Sequence, residues 1–188
     1  MKLGIGMMAL FTAAWLGGCA VDPAEPSDSS GAPASSDETN AEAARDLAIE
    51  KLRADYEEAQ ASSDPVPYLV NNELNGLRVK VPGDDRVYLI DRGVRRHIPD
   101  IYVFQRLFHD TNYIEGYYWA YLDMGSDIDV NAQLVNPIGG GPVYLLEWNT
   151  KRHITSPDTM NRYNFAWNHI VSYPQWVLDR IPTADPIW

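Results

Sequence analysis

The stretch RVYLIDRGVRRHIPD at residues 86–100 returns at residues 142–156 as PVYLLEWNTKRHITS, an offset of 56 residues with no gap between the copies. A chain that keeps Val-Tyr-Leu and Arg-His-Ile at one spacing twice builds the same local structure twice, and no other feature constrains its fold as much. Val87 to Ile90 and Val143 to Leu146 are runs of β-branched, aromatic and aliphatic residues, which predict short strands covered on both faces. Gly93 and Asn149 hold equivalent places just beyond those runs. Both residue types adopt positive φ readily, so each copy is expected to turn through the same tight hairpin loop into a second strand, Val94 to Ile98 and Thr150 to Ile154.

A helix start follows each hairpin. In the second copy Ser156 is a natural N-cap, Pro157 suits the first helical position and Asp158 favours the positive end of the helix dipole. In the first copy Asp100 takes the cap position, and Ile101, Phe104, Leu107 and Phe108 share one helical face. An isolated hairpin is marginal, so two hairpin-plus-helix units stacked on a common interior are the economical solution. The expected class is α+β: a tandem repeat of β-hairpin plus helix units packed on a shared core, preceded by a disordered tether and one helix. The domain is expected over residues 66–188, with repeats of about 77–132 and 133–188. The triple glycine at 139–141 lacks the lysine and the following helix of a phosphate loop and reads as a joint between units.

The pattern of Val-Tyr-Leu-Ile, a small turn, Arg-His-Ile-Pro and a helix ending in Phe or Tyr resembles a short repeat of extracytoplasmic bacterial proteins, often found beside cell-wall or carbohydrate-active modules. The resemblance covers most of residues 77–188. The chain departs from it at Thr155, where the pattern has proline, and at Asn149, where it has glycine. It implies a fold and a surface context, and no activity or ligand.

The amino terminus carries a second signal. Residues 1–18 place one lysine, Lys2, before an apolar run from about Leu3 to Leu16. That run is shorter than the roughly 20 residues a membrane span requires, so it reads as a signal peptide. Cys19, the only cysteine, follows directly, and Leu16-Gly17-Gly18-Cys19 resembles the lipobox of bacterial lipoproteins. The resemblance implies a diacylglyceryl thioether on Cys19, cleavage after Gly18 and acylation of the new amino terminus; two or more acyl chains anchor stably where one is marginal. The alternative is an ordinary signal peptide with an incidental cysteine. An acidic residue directly after the lipidated cysteine holds some such proteins at the inner membrane; here Ala20 stands there, so the expected location is the outer membrane, facing the periplasm or the surface.

Charge is unevenly spread. Residues 19–65 hold 12 acidic and 3 basic residues, and residues 66–188 hold 14 and 11. The sign argues against nucleic acid or anionic headgroups as partners. Residues 19–40, rich in Pro, Ser, Ala and acids, bury too little apolar surface to order and are expected to form the lipidated tether. From residue 41 to 62 strong helix formers take over, with Ala44, Leu47, Ala48, Leu52, Tyr56 and Ala59 on one thin apolar face. Such a helix either docks on the following domain, pairs weakly with another copy or stands as a solvated stalk.

Chemistry is sparse. The four histidines, His97, His109, His153 and His169, are 12, 44 and 16 residues apart, unlike the close pairs of a structural zinc site, and no metal or cofactor is expected. No nucleophile elbow, H-E-x-x-H or paired-cysteine motif is present. Because His97 and His153 are duplicates, a hydrolase built on either needs two active sites or one decayed copy; the simpler account makes both structural, with Gly93 and Asn149. Arg95, Arg96, Lys151 and Arg152 fall at equivalent places and read as a basic rim, either solvated strand edges or a site for acidic glycans or carboxylates. Tyr117, Trp119 and Trp148 are candidate ligand contacts with Arg95, Lys151 and Arg152, since amphipathic aromatics suit partly wet surfaces. Core packing is the alternative for most of the aromatics; Trp148, placed in a hairpin loop, is the exception. The expected function is a non-catalytic binding or envelope-assembly role, recognising cell-wall glycan or polysaccharide, or serving as an accessory subunit or scaffold for another envelope protein.

Overall fold

The computed structural model describes residues 36–62 and 69–188. Both expected hairpins form. Strands β2 (Val87–Asp91) and β3 (Val94–Ile98) pair in the register Val87↔Ile98 and Tyr88↔His97, and β6 (Val143–Glu147) and β7 (Thr150–Ile154) repeat it as Val143↔Ile154 and Tyr144↔His153. Their two-residue loops, Arg92-Gly93 and Trp148-Asn149, carry φ of 56°, 73°, 49° and 59°. Positive φ at both central residues matches the right-handed twist of the flanking strands. Gly93 meets a second demand, because a Cβ there would lie 2.6 Å from the Asn71 backbone nitrogen.

Each hairpin grows into a sheet by equivalent additions. β1 (Arg78–Lys80) runs antiparallel to β2 with Val79↔Tyr88, and β5 (Gln133–Pro137) runs antiparallel to β6 with Val135↔Tyr144. β4 (Ile114–Glu115) and β8 (Val171–Tyr173) then join β1 and β5 in parallel. The orders are β3-β2-β1-β4 and β8-β5-β6-β7-β9. The extra strand β9 (Thr183–Ile187) lies parallel to β7, where the first unit has, among the described residues, the single bridge Arg95↔Met124. Thr155 explains part of that difference: its N–H and its hydroxyl both donate to the Ile187 carbonyl at 3.0 Å. Pro99 stands at the equivalent place in the first copy and has no N–H to give.

Helices α2 (Ile101–Leu107) and α3 (Pro157–Arg162) start as their caps predict. Asp100 accepts from the Val103 N–H at 2.8 Å, and Ser156 from the Thr159 N–H at 3.0 Å. Both helices drop onto one interior that the two units share, with Leu89, Ile98, Phe104 and Phe108 meeting Leu145, Ile154, Met160 and Phe165. Backbone also ties the units: His109 N–H donates to the Asn164 carbonyl and Ala166 N–H to the Leu107 carbonyl.

Helix α1 (Ser36–Ser62) docks on the first unit, chiefly against the segments Asn72–Leu74 and Tyr117–Tyr121, which decides between the docked and solvated alternatives. Leu52 is buried there among Leu74, Val79, Tyr88, Ile90, Trp119 and Leu122, with Ala48, Ile49 and Tyr56 at its margin. The Tyr56 and Tyr121 rings lie 5.1 Å apart, and Arg45 Nη2 donates to the Asn75 carbonyl at 3.1 Å. Two expectations need correction. Leu47 is 72 % exposed and Ile49 takes its place, because the helix presents a slightly rotated face. The helix also begins at Ser36, inside the segment expected to be tether up to residue 40. No Gly or Pro interrupts residues 35–40, so a helix nucleated further along extends back through them at little cost. The signal peptide, Cys19 and the tether as far as residue 35 lie outside the described residues. Among the described residues, no helix is long and apolar enough to cross a membrane.

Candidate functional site

The expectation of a basic rim is overturned by burial: Arg95, Arg96, Lys151 and Arg152 are all buried. Alternation along each strand sends them to opposite faces. Arg95 and Lys151 point with Tyr88 and Tyr144. Arg95 lies 5.2 Å over the Tyr88 ring and donates from Nε and Nη2 to the Leu122 and Ala120 carbonyls. Lys151 lies 5.6 Å over the Tyr144 ring and donates from Nζ to the Leu178 carbonyl. These two cations anchor the segments packed on their sheets and are not available to a ligand.

Arg96 and Arg152 face the other way and meet across the two units. Arg96 donates to Asp91 at 2.8 Å and in bidentate fashion to Glu147 at 2.9 and 2.7 Å. Arg152 donates from both Nη atoms to Asp91, the Nη2 bond being 3.1 Å, and from Nη1 to Glu147 at 3.3 Å. Asp91 and Glu147 hold equivalent repeat positions, as do Arg96 and Arg152, so the quartet has the symmetry of the duplication. Tyr163 adds a hydrogen bond from its hydroxyl to Asp91 at 3.2 Å. Burial raises the Asp91 pKa, but the hydrogen bond and charge of Arg152, with Arg96, more than reverse this and hold the carboxyl below its usual range. Burial lowers both arginines, and their carboxylate partners more than compensate. The Tyr163 phenol is pushed up by burial and by the Asp91 charge.

This neutral quartet floors a cleft of about 280 Å³ at the hairpin tips, walled by Arg92, Ser126, Trp148 and Ala184. Asp91 and Arg152 also line a second cleft of about 440 Å³, closed by Tyr163, Asp185 and Trp188. Trp148 is 55 % exposed, yet it is held: its backbone N–H donates to Asp129 at 2.7 Å and its indole N–H to the Asp127 carbonyl at 3.1 Å. Its φ of 49° costs a bulky residue roughly 1–2 kcal/mol that Gly would escape. A fixed, exposed aromatic face above a polar floor can stack against a flat ring while the floor and Ser126 offer hydrogen bonds.

Of the six expected ligand contacts, the structure brings together Trp148 and Arg152. Tyr117 is exposed in a separate one-turn segment (Tyr117–Tyr121), and Trp119 is fully buried beneath α1, so its expected ligand role is corrected. Arg95 and Lys151 point to the opposite sheet faces. His97 and His153 are half-buried and tilt against their cross-strand tyrosines at 5.9 and 5.6 Å. Asp127 lies 3.7 Å from His97 Nδ1, and neither histidine lines either cleft. Sequence reasoning overlooked Asp91, Glu147 and Arg92. The matched acids at 91 and 147, five residues before the matched arginines, were the available signal. Among the described residues, no group of three or more His, Cys, Asp or Glu is placed to hold a metal. Comparison with family models, curated proteins and solved structures finds no match.

Proposed function

We propose that this chain is a lipoprotein anchored through Cys19 in the outer membrane, with a non-catalytic role in which the hairpin-tip cleft binds a cell-wall glycan or polysaccharide. The observation that carries the reading is Trp148: a large aromatic kept exposed, in an unfavourable backbone conformation, by two hydrogen bonds. Backbone strain of this kind concentrates where a residue is held for use. The lipobox supports the anchoring, and the docked helix α1 joins the anchor segment to the domain. A scaffold role is favoured by a different observation, the exposed Val171 on β8 with Trp176 in the short helix α4 (Gln175–Leu178) that follows it.

The test is retention of the full chain on purified peptidoglycan and on envelope polysaccharide. Trp148→Ala is expected to abolish retention with the melting temperature unchanged. Retention equal to wild type rejects the cleft as the binding surface, and co-purification of an envelope protein that is lost on Trp176→Ala favours the scaffold role. Cys19→Ser is expected to release the chain from the outer-membrane fraction; unchanged fractionation rejects the lipid anchor.

A further inference from the structure

A third cleft, of about 330 Å³, lies away from the hairpin tips, between α1 and α3. That volume is at the small end of ligand pockets, about 300–1,000 Å³. Its charged lining comes from Glu42 and Arg45 on α1 and from Asp158 and Arg162 on α3, and Trp188, 59 % exposed, forms one wall. The charges are layered: both arginines are half-buried, whereas both acids are exposed.

The arginines are incompletely used. Arg45 donates from Nη2 to the Asn75 carbonyl; Arg162 donates from Nε to the same carbonyl and from Nη2 to those of Asn72 and Glu73. Among the described residues neither forms an ion pair, the Nη1 atoms of both have no partner, and Arg45 Nε is buried without one. Burial, and then the charge of Arg162, push the Arg45 pKa below its usual value; the exposed Glu42 and Asp46 offset only part of this, and an anion between the two guanidiniums would relieve the rest. Two guanidiniums with spare planar donors suit a carboxylate. A simple anion would still have to pass the rim acids Glu42 and Asp158, whereas a ligand carrying an ammonium beside its carboxylate satisfies both layers.

We infer that the cleft between α1 and α3 binds the zwitterionic end of an amino acid or peptide, its carboxylate at Arg45 and Arg162 and its ammonium at Glu42 and Asp158, against the face of Trp188. This site is separate from the hairpin-tip cleft and does not depend on the glycan-binding reading. Because α1 supplies Ala41, Glu42 and Arg45 to the lining, the ligand binds only the docked helix and stabilises it.

The probe is alanine, with acetate and ethylamine as its half-charged counterparts, titrated into the detergent-solubilised full chain. The readout is the Trp188 indole N–H in a heteronuclear NMR spectrum, assigned with Trp188→Phe. Alanine is expected to shift that resonance saturably, leaving the Trp148 indole in place, with acetate and ethylamine each about tenfold weaker, the worth of one lost charge-assisted hydrogen bond. Arg45→Gln is expected to weaken alanine binding by a similar factor. Since Arg45 also ties α1 to Asn75, the double variant Glu42→Gln/Asp158→Asn serves as the second test, and it is expected to erase the preference for alanine over acetate. Absence of a saturable shift, equal binding of acetate and alanine by the wild type, or a preference that survives Glu42→Gln/Asp158→Asn overturns the inference. A shift of Trp148 instead of Trp188 also overturns it and leaves the hairpin-tip reading standing.

Discussion

Replacing Asp91 by Asn tests the central feature of this fold. Asp91 accepts hydrogen bonds from Arg96, from both Nη atoms of Arg152 and from the Tyr163 hydroxyl, and all four side chains are buried. The substitution leaves two buried guanidiniums facing one carboxylate, Glu147. Removing one partner from a buried ion-pair network costs about 3–5 kcal/mol, because the unpaired charge stays desolvated. For a domain of this size that loss lowers the melting temperature by roughly 10 °C. The double variant Asp91→Asn/Arg152→Gln restores the charge balance, so its destabilisation is expected to fall short of the summed single effects by at least about 1 kcal/mol. Urea denaturation of the four proteins, with the slope checked for constancy, reads this directly. The wild type also carries a pH signature. The Asp91 pKa is lower in the folded state than in the unfolded chain, so its contribution is present above about pH 4 and is lost as pH falls through the folded value. Acid is therefore expected to destabilise wild type more than Asp91→Asn. A single variant within about 0.5 kcal/mol of wild type, or strict additivity in the cycle, refutes the claim that the quartet acts as one unit.

Two further substitutions separate local from tertiary causes. Gly93→Ala is expected to destabilise by several times more than Asn149→Ala in the same denaturation assay, because Gly93 faces Asn71 backbone at a distance no Cβ tolerates as well as a φ of 73°; equal losses would show that the turn alone sets the requirement. Leu52→Ala is expected to cost about 2–5 kcal/mol, and Leu47→Ala within about 0.5 kcal/mol of nothing, since only Leu52 enters the core beneath α1; exposure of α1 to limited proteolysis should rise with the first and not with the second.

Much of the local architecture is legible in the sequence. Both hairpins, their positive-φ loops and the Asp100 and Ser156 caps follow from residue types within a few positions of each other. The docking of α1 was not legible. Its apolar face is thin enough to suit either a stalk or a docked helix, and only the presence of Tyr118, Trp119 and Leu122 on the facing surface decides it. Trp119 shows the same limit from the other side. An aromatic in a tyrosine-rich segment such as Tyr117–Tyr121 reads equally as a ligand platform or as core, and its burial depends on the helix that covers it.

The duplicated sequence by itself determined two equivalent hairpin-and-helix units, because strand period, turn chemistry and helix capping are short-range effects. Only the tertiary structure decided what the charged positions of β3 and β7 do. Alternation along a strand separates Arg95 from Arg96 but does not say what each side meets. Arg96 reaches Glu147 across 51 positions, and Arg152 reaches Asp91 across 61. That exchange between units takes Arg96 and Arg152 out of an apparent basic rim and into a neutral buried quartet, and long-range packing of this kind leaves no trace in local composition.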